Sequence, residues 1–246
     1  MTQNALTSTH TPAEIIRIAP VQQATNGICY STTGEINLPA SDLEHMVASV
    51  PTAIAAALTR KAFYFVPLTV VQNEEVLIAD RYDVALSDQA VCHRNYESGD
   101  SQAIFISTRL MDDRFSVGFE FFINVAHLFV DHAGFSQEFA DLTWKQAEDK
   151  AKGETSLDAH ELRKIATSNS PEADKAKHEY FETVFADAIA IYLLSLTVDF
   201  DYTELREREY PLLTAPALAE RLRHVAQLFP PNAGDEFAIR YRRRNG

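Results

Sequence analysis

Cysteine is almost absent: Cys29 and Cys92 are the only two in 246 residues. Two thiols outside any CxxC pair cannot form a disulfide framework or a thiolate metal site, and such sparse usage fits a reducing compartment. Glycine is also scarce, with eight copies and no cluster. That excludes a glycine-rich phosphate cradle, and no GxSxG nucleophile elbow is present. Basic charge is in deficit, since 22 Lys and Arg against 35 Asp and Glu leave a net charge of -13. So acidic a body repels a phosphate backbone, and no nucleic-acid partner is expected for it. The exception is the tail containing Arg240, Arg242, Arg243 and Arg244, which reads as a solvated end. Long apolar runs are missing too. No uninterrupted 18-residue apolar stretch occurs, and the N-terminus lacks a basic segment followed by an apolar one. Neither a membrane span nor a signal peptide is expected, and the expected location is cytoplasmic.

What the chain does have is core-forming material: 46% of its residues are hydrophobic, with 15 Phe and 9 Tyr. The organisation read from it is a flexible N-terminus over residues 1–12, one α+β domain over 13–231, and a basic tail over 232–246. Ser41 with Glu44 makes a capping-box signature for a helix reaching about Ser49. Pro51 opens a second helix through TAIAAALTRKA. FYFVPLTVV (63–71) is β-branched and aromatic and reads as a strand, with Pro67 marking an edge or bulge. EEVLIA (74–79) follows across Gln72-Asn73 as a hairpin partner. DVALS (83–87) and AIFIST (103–108) read as further strands, and CHRNYESGD (92–100) as a polar loop. Helices are expected from Ser136 to about Ala151, near Asp158 to Ala166, from Ser170-Pro171 to about Leu196, and from Pro216 to Leu228. The expected fold class is therefore α+β: a small β-sheet in the N-terminal half, packed on a mainly helical C-terminal half.

The chain is organised around residues 112–134, DDRFSVGFEFFINVAHLFVDHAG. Asp112 or Asp113 can cap a helix there, and Gly134 can stop it in the left-handed conformation. A helix apolar nearly all round is a buried one. Four polar residues interrupt it, Glu120, Asn124, His127 and Asp131, and their spacing of i, i+4, i+7 and i+11 places them on one stripe. Buried carboxylates and imidazoles need partners, so the stripe is either a satisfied polar seam or a site. His178 and Glu182 are likewise four apart on the helix after Pro171. Two facing helices bearing such pairs could make a divalent-metal site from His127, Asp131, His178 and Glu182. Cys92 and His93 make a poor thiol–imidazole dyad, because neighbours in extended chain point to opposite faces.

The order of strand AIFIST, RFSVGFEFFI and a later helix with FADAIAIYLL resembles a zincin metallopeptidase of the ImmA/IrrE-like type, over about Phe63 to Leu196. That resemblance implies a strand able to bind substrate in extended form, a helix bearing HExxH, and a later helix carrying a glutamate ligand. Arg114, Phe115 and Ser116 fall on the family's RFT-like lead, and FEFFI falls on HExxH. Glu120 stands at the catalytic glutamate and is kept. Phe119 and Ile123 stand at the two histidines, and Phe185 stands at the glutamate ligand, ahead of Ala186 and Asp187. Zinc hydrolysis of this kind needs three protein ligands and a base, and Phe and Ile cannot bind metal. The resemblance thus implies a zincin-like pseudoenzyme: a regulatory module binding a protein or peptide partner, such as a repressor-like regulator, with no cofactor. The alternative is a metal-dependent peptide hydrolase holding zinc or another divalent ion through relocated ligands.

Overall fold

The computed structural model describes residues 7–111, 113–205 and 210–240. The fold class is α+β, with small sheets in the N-terminal half and mostly helix in the C-terminal half. The chain divides into two compact units, Met1–Phe121 and Phe122–Gly246.

The first unit runs β1 (Thr9–His10), α1 (Pro12–Ile18), β2 (Gln22–Gln23), β3 (Cys29–Thr32), α2 (Ala40–Ala48), α3 (Thr52–Ala55), β4 (Lys61–Val66), β5 (Leu68–Gln72), β6 (Glu75–Ala79), α4 (Val84–Ser87), β7 (Ala90–Val91), β8 (His93–Ser98), β9 (Ser101–Ser107) and α5 (Thr108–Met111). It then enters α6 (Arg114–Ala133), inside which the division falls. Two sheets form, one ordered β2-β3-β4-β9-β8 and the other β1-β6-β5-β7. In the first, β3, β4 and β9 are parallel, while β8 returns antiparallel on β9.

The expected strand over 63–71 is two strands in two different sheets, split at Pro67. Proline has no N–H to continue a ladder, and its carbonyl instead accepts from the amide of Arg109 at 3.0 Å. The β5–β6 hairpin turns on Asn73 and Glu74, both with positive φ. Alternation along β4 fixes the two faces of its sheet. Phe63 and Phe65 meet Phe121 of α6 with ring centroids 4.9 and 5.6 Å apart. Tyr64 stacks on Phe105 at 5.0 Å and joins a core with Val66, Ile15 and Ile78. Each buried aromatic contributes about 1.5–3 kcal/mol.

Several expectations over this unit are corrected. Residues 83–87 are not a strand: Asp83 accepts from the amide of Ala85, which starts the short helix α4. The polar loop 92–100 is largely strand β8, closed onto β9 by a two-residue turn at Gly99 and Asp100. Ladder bonds to β9 outweigh its lack of apolar alternation. Ser41 and Glu44 do not form a capping box, since α2 starts two residues earlier, at Ala40, with Pro39 at its cap. The box forms instead at Thr11 and Glu14, heading α1. The second helix stops at Ala55 and passes through a 3-10 turn to Leu58. Within residues 1–12, Thr9 and His10 pair with β6, and residues 1–6 lie outside the described residues.

Helix α6 starts and stops largely as expected. Asp113 accepts from the amide of Ser116 at 2.8 Å, and Gly134 ends the helix at φ 72°. Asp112 lies outside the described residues.

The second unit continues with α7 (Gln137–Glu148), α8 (Leu157–Ala166), α9 (Ala173–Thr197) and α10 (Ala215–Leu228). α9 is its spine, packed by α7, α8 and α10. By length and composition α9 could cross a membrane, but its apolar window is 72% buried inside the fold, as in a core helix. The loop ahead of α8 is pinned from all sides. Glu154, fully buried, accepts from Arg163 of α8 at 3.0 Å, Tyr180 of α9 at 2.7 Å and Arg221 of α10 at 2.9 Å. Gly153 beside it has φ 81°, and a Cβ there would lie 2.0 Å from the carbonyl oxygen of Leu212. Of the basic tail, Arg240 is described and residues 241–246 are not.

Candidate functional site

The polar stripe of α6 serves different neighbours along its length. Glu120 belongs to the first unit, and its side chain is 16% exposed. Its Oε1 is in short contact with Nδ1 of His93, on β8. The other three residues belong to the second unit. Asn124 is buried, while His127 and Asp131 face outward.

β8 is the end strand of its sheet. β9, the strand immediately ahead of the helices, is flanked by β4 on one side and β8 on the other. An extended ligand therefore cannot pair with AIFIST, and among the described residues the longer of the sheet's two outer edges is that of β8, six residues against two in β2. Antiparallel pairs alternate between bonded and non-bonded residues. Ser107 donates to the carbonyl of Cys92 at 2.8 Å, and the register then runs from His93 opposite Ile106 to Ser98 opposite Ser101. Hence Arg94, Tyr96 and Ser98 bond inward to β9. His93, Asn95 and Glu97 turn their N–H and C=O groups outward. Arg94, Asn95, Glu97 and Ser98 are exposed, and β8 has no proline, lysine or bulge of the kind that usually blunts an edge.

In the second unit, His127 and Asp131 line a cleft of about 500 Å³ with Asp158, Glu161, Glu179 and Glu182. His178 is not among its walls; it is 65% exposed and lies 3.4 Å from Glu182 along its own helix. The four-residue metal set inferred from spacing is thus only partly gathered. Among the described residues no group of three or more His, Cys, Asp or Glu side chains is placed to share one ion. Near His127, Asp187 accepts from the hydroxyl of Thr155 at 2.7 Å. Burial raises its carboxyl above the usual carboxylate range, against the opposing pull of the Ser156 and Thr155 hydroxyls and of His127.

The three apolar residues at the resemblance's ligand positions differ in burial. Phe119 stacks on Phe115 with centroids 6.2 Å apart. Phe185 is buried against Phe139 at 4.8 Å and Phe229 at 6.4 Å. Ile123 is half-buried. Glu120 keeps a polar partner, and that partner, His93, is a site residue that sequence reading missed. Its stretch shows no apolar alternation. The available signal was Gly99-Asp100 between the polar run HRNYES and the largely apolar run SQAIFIS, a two-residue hairpin turn.

A scan of protein-family models, a search of curated proteins and a search of solved structures each find no match to this chain.

Proposed function

We propose that this chain is a cytoplasmic zincin-like pseudoenzyme of ImmA/IrrE-like type, which binds an extended segment of a regulatory protein along the edge of β8. The observation that carries this reading is the open β8 edge, with His93 and Glu120 beside it. A chain added there gains up to six main-chain hydrogen bonds from three outward-facing residues, each worth about 0.5–1.5 kcal/mol net. Apolar residues at the ligand positions favour binding over hydrolysis, because Glu120 without a metal has no activated water to deprotonate. The acidic body favours a neutral or basic segment as ligand.

The test is selection from a random-peptide display library on the purified full chain, followed by titration of the selected peptides by fluorescence anisotropy. Asn95→Pro removes one outward N–H and leaves the inward ladder bonds intact. Selected peptides are expected to bind in the micromolar range, roughly -8 kcal/mol, and to weaken roughly tenfold or more on Asn95→Pro. Equal binding to both proteins would overturn the reading, as would zinc-dependent cleavage of the peptides that is lost in His127→Ala.

A further inference from the structure

The outer edge of β8 fits a second copy of itself. Two β8 strands can add antiparallel about a two-fold axis, and an isologous contact of this kind requires the patch to be self-complementary. Hydrogen bonding requires outward-facing residues to meet outward-facing residues, so only His93, Asn95 and Glu97 can pair. Centring the axis on Asn95 sets His93 opposite the partner's Glu97, and Glu97 opposite the partner's His93. On the other face the same register sets Arg94 opposite the partner's Tyr96, a guanidinium beside an aromatic ring. The remaining registers are poorer. Centring on His93 or Glu97 opposes two imidazoles or two carboxylates, centring on Arg94 opposes two arginines, centring on Tyr96 leaves His93 without a facing carboxylate, and every one of these shortens the overlap.

We propose that free chains dimerise through β8 in the Asn95-centred register, and that this dimer occludes the peptide site. His93 contacts Glu120 through Nδ1, and Nε2 of the same ring is the atom that would meet the partner's Glu97. The inference rests on the open-edge reading of the proposed function. It adds that peptide binding and self-association compete for the same six backbone groups, so a bound peptide converts dimer to monomer.

The experiment is sedimentation equilibrium of the full chain over a concentration series, for wild type, Asn95→Pro and Glu97→Lys, with Arg94→Pro as a control. Wild type is expected to show a monomer–dimer equilibrium, and both Asn95→Pro and Glu97→Lys are expected to weaken it roughly tenfold or more. Arg94→Pro removes an inward bond, so it is expected to lower the melting temperature, whereas Asn95→Pro is not. Should Asn95→Pro also melt early, Glu97→Lys decides, because Glu97 is exposed. A wild type that stays monomeric up to its solubility limit would overturn the proposal, as would Asn95→Pro and Glu97→Lys dimers as tight as wild type. A synthetic peptide spanning residues 92–99, with serine for Cys92, separates the two ideas. If it binds a monomeric chain, the edge reading stands and the dimer falls. A dimer sensitive to Glu97→Lys in a chain that captures no library peptide keeps the dimer and removes the peptide function.

Discussion

Replacing Arg221 with alanine should break the second unit, and the structure sets the size of the effect. The guanidinium is fully buried. Its Nε donates to Gln146 at 2.9 Å, Nη1 to Glu154 at 2.9 Å, and Nη2 to Glu154 at 3.4 Å and to Tyr180 at 3.3 Å. Its removal leaves a buried carboxylate short of its main counter-charge and orphans the Gln146 carbonyl. Breaking a buried pair by deleting one partner costs about 3–5 kcal/mol. The lower end applies here, because Arg163 at 3.0 Å and Tyr180 at 2.7 Å still donate to Glu154. At roughly 2–4 °C per kcal/mol, a loss of about 3 kcal/mol lowers the melting temperature by on the order of 10 °C. Trp144, the chain's only tryptophan, sits in α7 of the same unit and reports its urea unfolding by fluorescence. Combining Arg221→Met with Glu154→Gln should recover part of the loss, since the buried carboxylate goes with its counter-charge, and the coupling energy should exceed about 1 kcal/mol. A single Arg221→Ala within about 1 kcal/mol of wild type would refute the assignment of this network as the unit's internal staple.

Alkaline pH should weaken the same unit. Burial raises Tyr180, Tyr192 and Tyr202 above their ordinary 10.0. Above that value the unfolded chain loses protons that the fold retains, so stability present below pH 10 is lost as pH rises towards the folded values, by up to about 1.4 kcal/mol per pH unit for Tyr180; a flat urea midpoint from pH 9 to 11 would contradict it. Gly153→Ala should cost more than about 3 kcal/mol, because its Cβ would lie 2.0 Å from Leu212 O at φ 81°. Gly134→Ala has open space and should cost only about 1 kcal/mol, and equal urea midpoints for the two would contradict the packing described. Elemental analysis of protein incubated with zinc and then dialysed should find well under one equivalent; one equivalent lost on His127→Ala would favour the relocated-ligand hydrolase.

The C-terminal helices were legible because they carry strong punctuation. Ser136 caps α7 and Gly134 stops α6 as expected, while the start read at Ser170-Pro171 falls at Ala173, with Glu172 at the cap. The N-terminal half was read less well where tertiary contacts overrode local pattern. Asp83 turned an apolar run into a helix through one side-chain cap. β8 has Tyr96 as its one core-packing side chain and is otherwise polar, and it is held as a strand by the ladder β9 offers it. Pro67 was read as an edge or a bulge, and it is the point where the chain changes sheets. Half of the candidate site was visible: the stripe of α6 singled out Glu120, but nothing local to His93 tied it to a helix 27 positions away. The Glu154–Arg221 staple was missed for the same reason, since its partners are 67 residues apart and each looks like an ordinary surface charge in sequence.

The most direct test of edge binding is residue-resolved amide exchange across β8, with and without a saturating selected peptide. The expected result is alternation. The amides of Arg94, Tyr96 and Ser98 are slow in both states, and in a chain diluted to monomer those of His93, Asn95 and Glu97 become slow only when peptide is bound. Protection that leaves these three unchanged and appears instead around His127, Asp131 and Glu182 would contradict it and move the site to the acidic cleft.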